Sequence, residues 1–421
     1  MNKIFKVIWS KSKQCYIVVS EMAKNKTGKK KIIVAGIFAT LALIGPLQSV
    51  QAIDGAGDKA GFSNAASGVN FDSTKGIAIG LKNGDKTSAN GNVATVAIGA
   101  HSNASGSSSV AIGGAVVNGA GAIGLGWSTA KGDNAVALGG TGTTIANGNN
   151  AFAASGGNAS GNGSIAVGWQ TKATNNATAV GSNAQATGND SVAVGKDSKA
   201  ADLSATAIGS SAQVSGRGGV AVGWQSESNV NSVAAGYNAK AKFNNTVAIG
   251  VETNNDNSIS NNFSSVSIGV ATRARAVGSM ALGVSADASG KYSIALGSGD
   301  VINDYSGTKN YPKATGEKAI AIGYNSNAGN TSVIAIGSDA VADKKNAVAF
   351  GSGSNTSSSA TAQSSTTIGG KTYSWNKGVL SGTDLAGMQV SVGKTGFERQ
   401  IKNVAAGEIS ANSTDAINGA Q

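Results

Sequence analysis

A chain of 421 residues with 61 Gly but only 2 Pro and 5 % aromatic residues is no collagen, which needs Gly at every third position and abundant Pro. Val and Ile recur at fixed intervals, which excludes disorder and leaves a repeat protein built from small residues. Most of the net charge of +11 belongs to the first 52 residues, where nine Lys face Glu21; the other 24 basic and 21 acidic side chains leave +3, too balanced for a phosphate-tracking stripe or a nucleic-acid partner.

The N-terminal 52 residues read as a leader. Residues 24–31 are rich in Lys, an apolar run extends from Ile32 to Gly45, and Gly45-Pro46 breaks it before Val50-Gln51-Ala52. This is the order of a signal peptide, with cleavage after Ala52. The apolar run is shorter than the roughly 20 residues a membrane-spanning helix requires. Cys15, the only cysteine, lies in this leader, so disulfides and thiolate chemistry are excluded from the body. A body without cysteine fits passage through an oxidising periplasm.

The first 21 residues exceed what a signal peptide needs. Asn2-Lys3, Val7-Ile8-Trp9, Cys15-Tyr16 and Val18-Val19-Ser20-Glu21 resemble the extended signal peptide region of large autotransporters of Gram-negative, diderm bacteria. The resemblance implies Sec-dependent export toward type V secretion. It also implies handling by the export and outer-membrane assembly machinery, and residence at the cell surface or outer membrane.

Residues 53–75 are expected to cap a repetitive body that runs from 76 to 370. There a phrase of apolar, Ala, apolar and Gly returns: Ile77-Ala-Ile-Gly80, Val110-Ala-Ile-Gly113, Val192-Ala-Val-Gly195, Ile294-Ala-Leu-Gly297 and Val348-Ala-Phe-Gly351 are examples. Glycines 181, 195, 209 and 223 are spaced 14 apart, as are 323, 337 and 351. A fixed period of this kind marks a solenoid. Fourteen residues accommodate two strands of about five residues and two tight turns. A three-sided coil of hexapeptides needs roughly 18, so a two-sided roll is the better fit.

The two halves of a coil differ. In Ser191-Val-Ala-Val-Gly195, Val192 and Val194 share one face and Ala193 the other, so both faces are apolar and should be buried. Its partner alternates strictly, Ala184 and Ala186 on one side and Asn183, Gln185 and Thr187 on the other, which leaves one face for solvent. The doubly apolar strand should therefore lie between the roll's own core and another copy of the chain. These repeats resemble the YadA-like head repeats of trimeric autotransporter adhesins over roughly residues 60–370. The resemblance implies a left-handed parallel β-roll assembled as a homotrimer. Spacing lengthens at 300–318 and 355–393, which reads as loops or inserts, with a pre-neck insert at 371–389.

Residues 390–421 resemble that family's neck, through Arg399-Gln400-Ile401, Asn403-Val404-Ala405-Ala406-Gly407 and Ser413-Thr414-Asp415-Ala416-Ile417-Asn418-Gly419. The resemblance assigns Arg399, Val404, Ala405, Gly407, Ser413, Asp415 and Asn418 to neck and trimer closure. No heptad stalk or barrel strands follow Gln421. A piece of a longer adhesin and a truncated gene both remain open readings.

Catalytic chemistry finds little footing. His101 is the only histidine, which excludes a His-based triad or a His metal cluster. The Gly-rich segments lack the Lys-Ser/Thr context of a phosphate loop and the Asp spacing of calcium-binding nonapeptides. The reading is a binding protein without cofactor, not an enzyme. Trp169, Trp224, Tyr237 and Tyr324 each follow a repeat glycine, and Trp224 and Tyr237 fall on successive rungs. They are candidates for a ligand-contact ladder, the alternative being that the rings merely cover turns. The family resemblance implies attachment to host extracellular matrix, to cell-surface proteins or glycans, or to other bacteria, through many weak contacts. A passive surface-layer spacer and a monomeric glycan-binding solenoid are the competing readings.

Overall fold

The computed structural model describes residues 5–10, 15–20, 69–72, 76–79, 87–91, 93–140, 143–253, 264–300, 310–375 and 377–421. It divides into two units, Met1–Ser63 and Asn64–Gln421. In the first, Phe5–Ser10 and Cys15–Ser20 form an antiparallel hairpin with Phe5 opposite Ser20 and Ser10 opposite Cys15. The apolar run of the leader and the cleavage position Ala52 lie outside the described residues.

The second unit is an all-β parallel solenoid of about 17 turns. Each regular turn contributes a three-residue strand to one sheet (sheet 1) and a two-residue strand to the other (sheet 2). In sheet 1, Val192–Val194, Thr206–Ile208 and Val220–Val222 stack in register, so that Ala193, Ala207 and Ala221 form one column. In sheet 2, Gln185–Ala186, Lys199–Ala200 and Gln213–Val214 stack likewise. The strands are shorter than the five residues expected from the period, because the two turns of each coil take the larger share. Sheet 2 comes in two runs, twelve strands from Ser88–Ala89 to Lys240–Ala241 and five from Arg273–Ala274 to Val341–Ala342. Sheet 1 bridges the break through Val247–Ile249 and Val266–Val270.

The sheets meet over alanine. Ala184, Ala186, Ala193, Ala200, Ala207 and Ala221 are all fully buried. The small side chain sets the thickness, with Val117, Val214 and Val333 among the larger apolar side chains fully buried in the described residues. The corners are closed by hydroxyls. Ser191 Oγ donates to the Gly188 carbonyl at 2.6 Å, and Ser164 does the same to Gly161. At the opposite corner Ser198 Oγ donates to the Gly195 carbonyl at 2.8 Å. Each adds a second donor to a turn carbonyl: Gly161 and Gly195 also accept from the backbone N–H of Ser164 and Ser198, and Gly188 from Thr174 Oγ1. Asn176, Asp190, Asn183 and Asp197 take the left-handed turn conformation, with φ between 53° and 58°, which Asn and Asp tolerate.

The ends and interruptions depart from the period. Val69–Asp72 starts the roll by pairing antiparallel with Gly76–Ile79. Of the departure at 300–318, residues 301–309 lie outside the described residues, and Lys313–Ala314 is already a regular sheet 2 strand. The stretch expected at 355–393 is an insert between consecutive rungs, since Val390–Ser391 stacks directly on Val348–Phe350. It carries an antiparallel hairpin of Ser365–Ile368 and Lys371–Ser374, which straddles the boundary placed at 370, and a 3-10 turn at Leu385–Gly387.

Candidate interaction surfaces

The outward side of sheet 1 is the most continuous apolar surface among the described residues. Ala faces the core, so the residues on either side of it face out. Val180, Ile208, Val222, Ile249 and Leu296, each the third residue of its strand, are between 36 % and 41 % exposed, and Ile165, the first residue of its strand, is 38 % exposed. Within one chain the strand is therefore buried on its Ala side alone. The second burial expected of it needs another molecule.

Trp169, Trp224, Tyr237 and Tyr324 stand at one corner, immediately after the glycine that ends their sheet 1 strands. Trp224 and Tyr237 meet there, with ring centroids 5.2 Å apart and planes tilted by 43°. Trp169 stands apart and lies on the preceding rung, where a Cβ on Gly156 would sit 3.1 Å from its Cε3. Tyr324 is engaged elsewhere: its hydroxyl donates to Asp300 Oδ1 at 2.8 Å, while the Asn310 N–H donates to Asp300 Oδ2 at 3.0 Å. Those hydrogen bonds, the Asn310 backbone one foremost, hold the Asp300 carboxyl below its usual range. The same contact with Asp300 pushes the Tyr324 phenol up. Only Trp224 and Tyr237 of the four candidates touch each other.

Trp127 belongs to the same corner and was not singled out by the sequence pattern. Its indole is 67 % exposed. A Cβ on Gly114 would lie 3.3 Å from its Cδ2 and Cε2, so the ring is laid over bare backbone. His101 stands 6.0 Å away, centroid to centroid, and the pair walls an open cleft floored by Gly114, Thr129 and Thr143. The signal was present in Gly126-Trp127, but Ile123-Gly-Leu-Gly126 carries Gly where the phrase has Ala.

Known proteins share both the leader and the repeat. Residues 1–48 match the extended signal peptide of the type V secretion system. The YadA head domain repeat matches nine segments, from 92–115 through 159–176 and 203–226 to 334–354, along the solenoid just described. The chain belongs to the YadA-like autotransporter adhesins. The leader marks the YadA-like head for export to the cell surface or outer membrane. Autotransporter adhesin BtaE of Brucella suis biovar 1 (strain 1330) is 54 % identical over 56 residues, 13 % of this chain and 7 % of that one. The head thus spans a small fraction of the length of that relative. The solved C-terminal YadA-like domain of a Burkholderia pseudomallei protein is 48 % identical where it aligns, over 21 % of this chain and 39 % of the other, with a TM-score of 0.18. The matched family is one of adhesins rather than enzymes.

Beyond the last rung of the YadA-like head, the segment read as a neck folds back on the roll and on itself. Arg399 reaches the roll's open end, where Nη1 donates to Ser354 Oγ at 3.0 Å and to the Val392 carbonyl at 2.6 Å, and Nη2 donates to the Ser352 carbonyl. Asn418 Nδ2 donates to the Val404 carbonyl at 3.2 Å. The Gly407 N–H donates to Gln421 Oε1, the Glu408 N–H to Asp415 Oδ2, and the Asp415 N–H to Ser413 Oγ. Ala405 makes no such contact and is exposed. Phe397, Ile401, Ile409 and Ile417 are also exposed, so this segment presents apolar side chains that the chain itself does not cover.

Charge is distributed less evenly than the balance of the body suggests. Acidic residues such as Asp133, Asp190, Asp197, Asp202 and Asp339 sit in turns, while Lys and Arg collect on the outward side of sheet 2. The sequence argument against a cationic stripe therefore does not hold at the level of faces. A net charge averages over sides of the roll that the fold separates.

Proposed function

We propose that the chain is the head of a homotrimeric surface adhesin, in which the sheet 1 faces of three copies pack together and leave the corners and sheet 2 to meet ligands. The single observation that carries this reading is the continuous outward row of Val, Ile and Leu on sheet 1. Burying such a side chain contributes about 1.5–3 kcal/mol, and stacked rungs add nearly independently. The exposed Ile401, Ile409 and Ile417 extend the same requirement into the neck, where Arg399, Val404, Ala405, Gly407, Ser413, Asp415 and Asn418 would close the trimer. Family membership supports the adhesin role. The targets we infer are host extracellular matrix, host cell-surface proteins or glycans, or other bacterial cells, held by many weak contacts repeated along three chains. The role is one of attachment, without cofactor or catalysis.

Light scattering on the purified protein tests the assembly. A stable mass of three chains that falls to one on Ile208→Asp and Val222→Asp supports it. A folded monomer that both substitutions leave unchanged would remove the packed-roll reading and restore the solitary solenoid. Adhesion of cells displaying the chain, compared with cells displaying none, separates an adhesin from a passive spacer.

A further inference from the structure

The outward residues of sheet 2 stand in columns. One reads Asn158, Lys172, Gln185, Lys199, Gln213, Glu227 and Lys240, each in register with the next. It resumes as Arg273, Asp287, Lys313, Asn327 and Val341. A parallel column two residues further along each strand adds Lys131, Lys242 and Arg275. Between Lys131 and Lys313 these columns hold eight cations and two carboxylates, an excess twice that of the whole body after residue 52.

The two carboxylates do not neutralise the face. Glu227 is shared by Lys240 at 3.7 Å and Lys242 at 3.9 Å. Asp287 is shared by Arg273 at 3.7 Å and Arg275 at 3.3 Å, and its Oδ1 has no hydrogen-bond partner among the described residues. Each acid thus sits between two cations. Lys172 and Lys199 are exposed, and no carboxylate lies within ion-pair distance of either among the described residues. With rungs about 4.8 Å apart, these two ammonium groups are spaced by roughly 10 Å, and the cationic strip is on the order of 60 Å long.

We propose that this face binds a linear polysaccharide bearing carboxylate or sulfate groups, laid along the solenoid axis. The proposal deepens the adhesin reading, on which it rests for the protein's display outside the cell. A row of cations with low net compensation attracts a polyanion and orients it along the row. Gln185 and Gln213, interleaved with the lysines, offer amide donors and acceptors of the kind that hydroxyl-rich chains use. Single-stranded nucleic acid is disfavoured because the columns hold no aromatic side chain on which bases could stack. The flat sheet also has no groove to grip a duplex. Weak single contacts repeated rung after rung supply affinity without a pocket.

The test uses the purified full chain against four probes: heparin, hyaluronate, neutral dextran and a single-stranded oligodeoxynucleotide. The variant Lys172→Gln with Lys199→Gln and Lys313→Gln removes three charges from the face. Lys196→Gln with Lys291→Gln and Lys318→Gln removes three from turns, and circular dichroism checks that both fold. Affinity for heparin is expected to fall about ten-fold or more in the first and about two-fold or less in the second, with dextran unbound. Binding of hyaluronate as well assigns carboxylate in addition to sulfate. Equal losses in both variants, no binding of either charged glycan, or an oligonucleotide bound as tightly as heparin would overturn the proposal. Cells that display the face variant and still adhere fully would also overturn it, while leaving the adhesin reading in place.

Discussion

Asp300 accepts hydrogen bonds from the Asn310 backbone and from Tyr324, and both favour its ionised form. Its folded pKa is depressed, so its contribution to stability is present above the unfolded value and is lost as pH falls through the lowered folded one. Acidification into that range should free Tyr324 and loosen the chain near Asn310, which limited proteolysis across a pH series would show. Asp300→Asn should lower the Tyr324 phenol toward its ordinary value, visible in ultraviolet titration against the parent protein. Gly195 is the sharper structural case. Its φ is +126°, and a Cβ there would lie 2.6 Å from the Gly209 carbonyl carbon on the next rung. Gly195→Ala is expected to cost on the order of 1–3 kcal/mol, measured by urea unfolding, with a loss nearer zero refuting the close-approach argument.

At the scale of elements, the corner pair is the contact whose effect is simplest to isolate. Trp224 and Tyr237 touch each other and make no ring contact with a third aromatic among the described residues. If they form a ligand platform, Trp224→Ala with Tyr237→Ala should weaken cell attachment while moving the unfolding midpoint little. Their mutual contact is worth only about 0.5–1.5 kcal/mol. An unchanged attachment with lowered stability would reduce them to a cover for the turn. The coil itself was legible in the sequence because Ala193, Ala207 and Ala221 recur with the glycines that follow them, at a spacing that fits a two-sided coil. The inward set of Ala184 and Ala186 was legible for the same reason. Trp127 was missed because Gly124 replaces the repeat's Ala. The hairpin of Ser365–Ile368 and Lys371–Ser374 was not legible either, since all but one of its side chains are exposed and it leaves no buried pattern. The cationic columns needed register: spacings of 13 and 14 residues are mixed between Asn158 and Lys240, and only strand pairing shows that these positions align.

At the scale of the whole molecule, each rung contacts only its neighbours, and stability should build up rung by rung. Removing residues 196–209 takes out one full turn and joins Gly195 to Ser210. Gly195 then occupies the position of Gly209, and every inward alanine keeps its face. The shortened protein should fold with a melting transition close to the parent's and a length reduced by about 4.8 Å, measured by circular dichroism and small-angle scattering. Removing seven residues instead should disrupt the roll although alanine stays inward, because it exchanges a sheet 1 strand for a sheet 2 strand and puts outward Val and Ile where Lys and Gln stand. The same property has a hereditary side. Because a turn is also a unit of coding sequence, unequal exchange between two repeats yields a longer or shorter protein that is still folded. The distance at which a bacterium holds its outermost surface from its neighbours thereby becomes a trait that changes in single steps, without any new fold being invented.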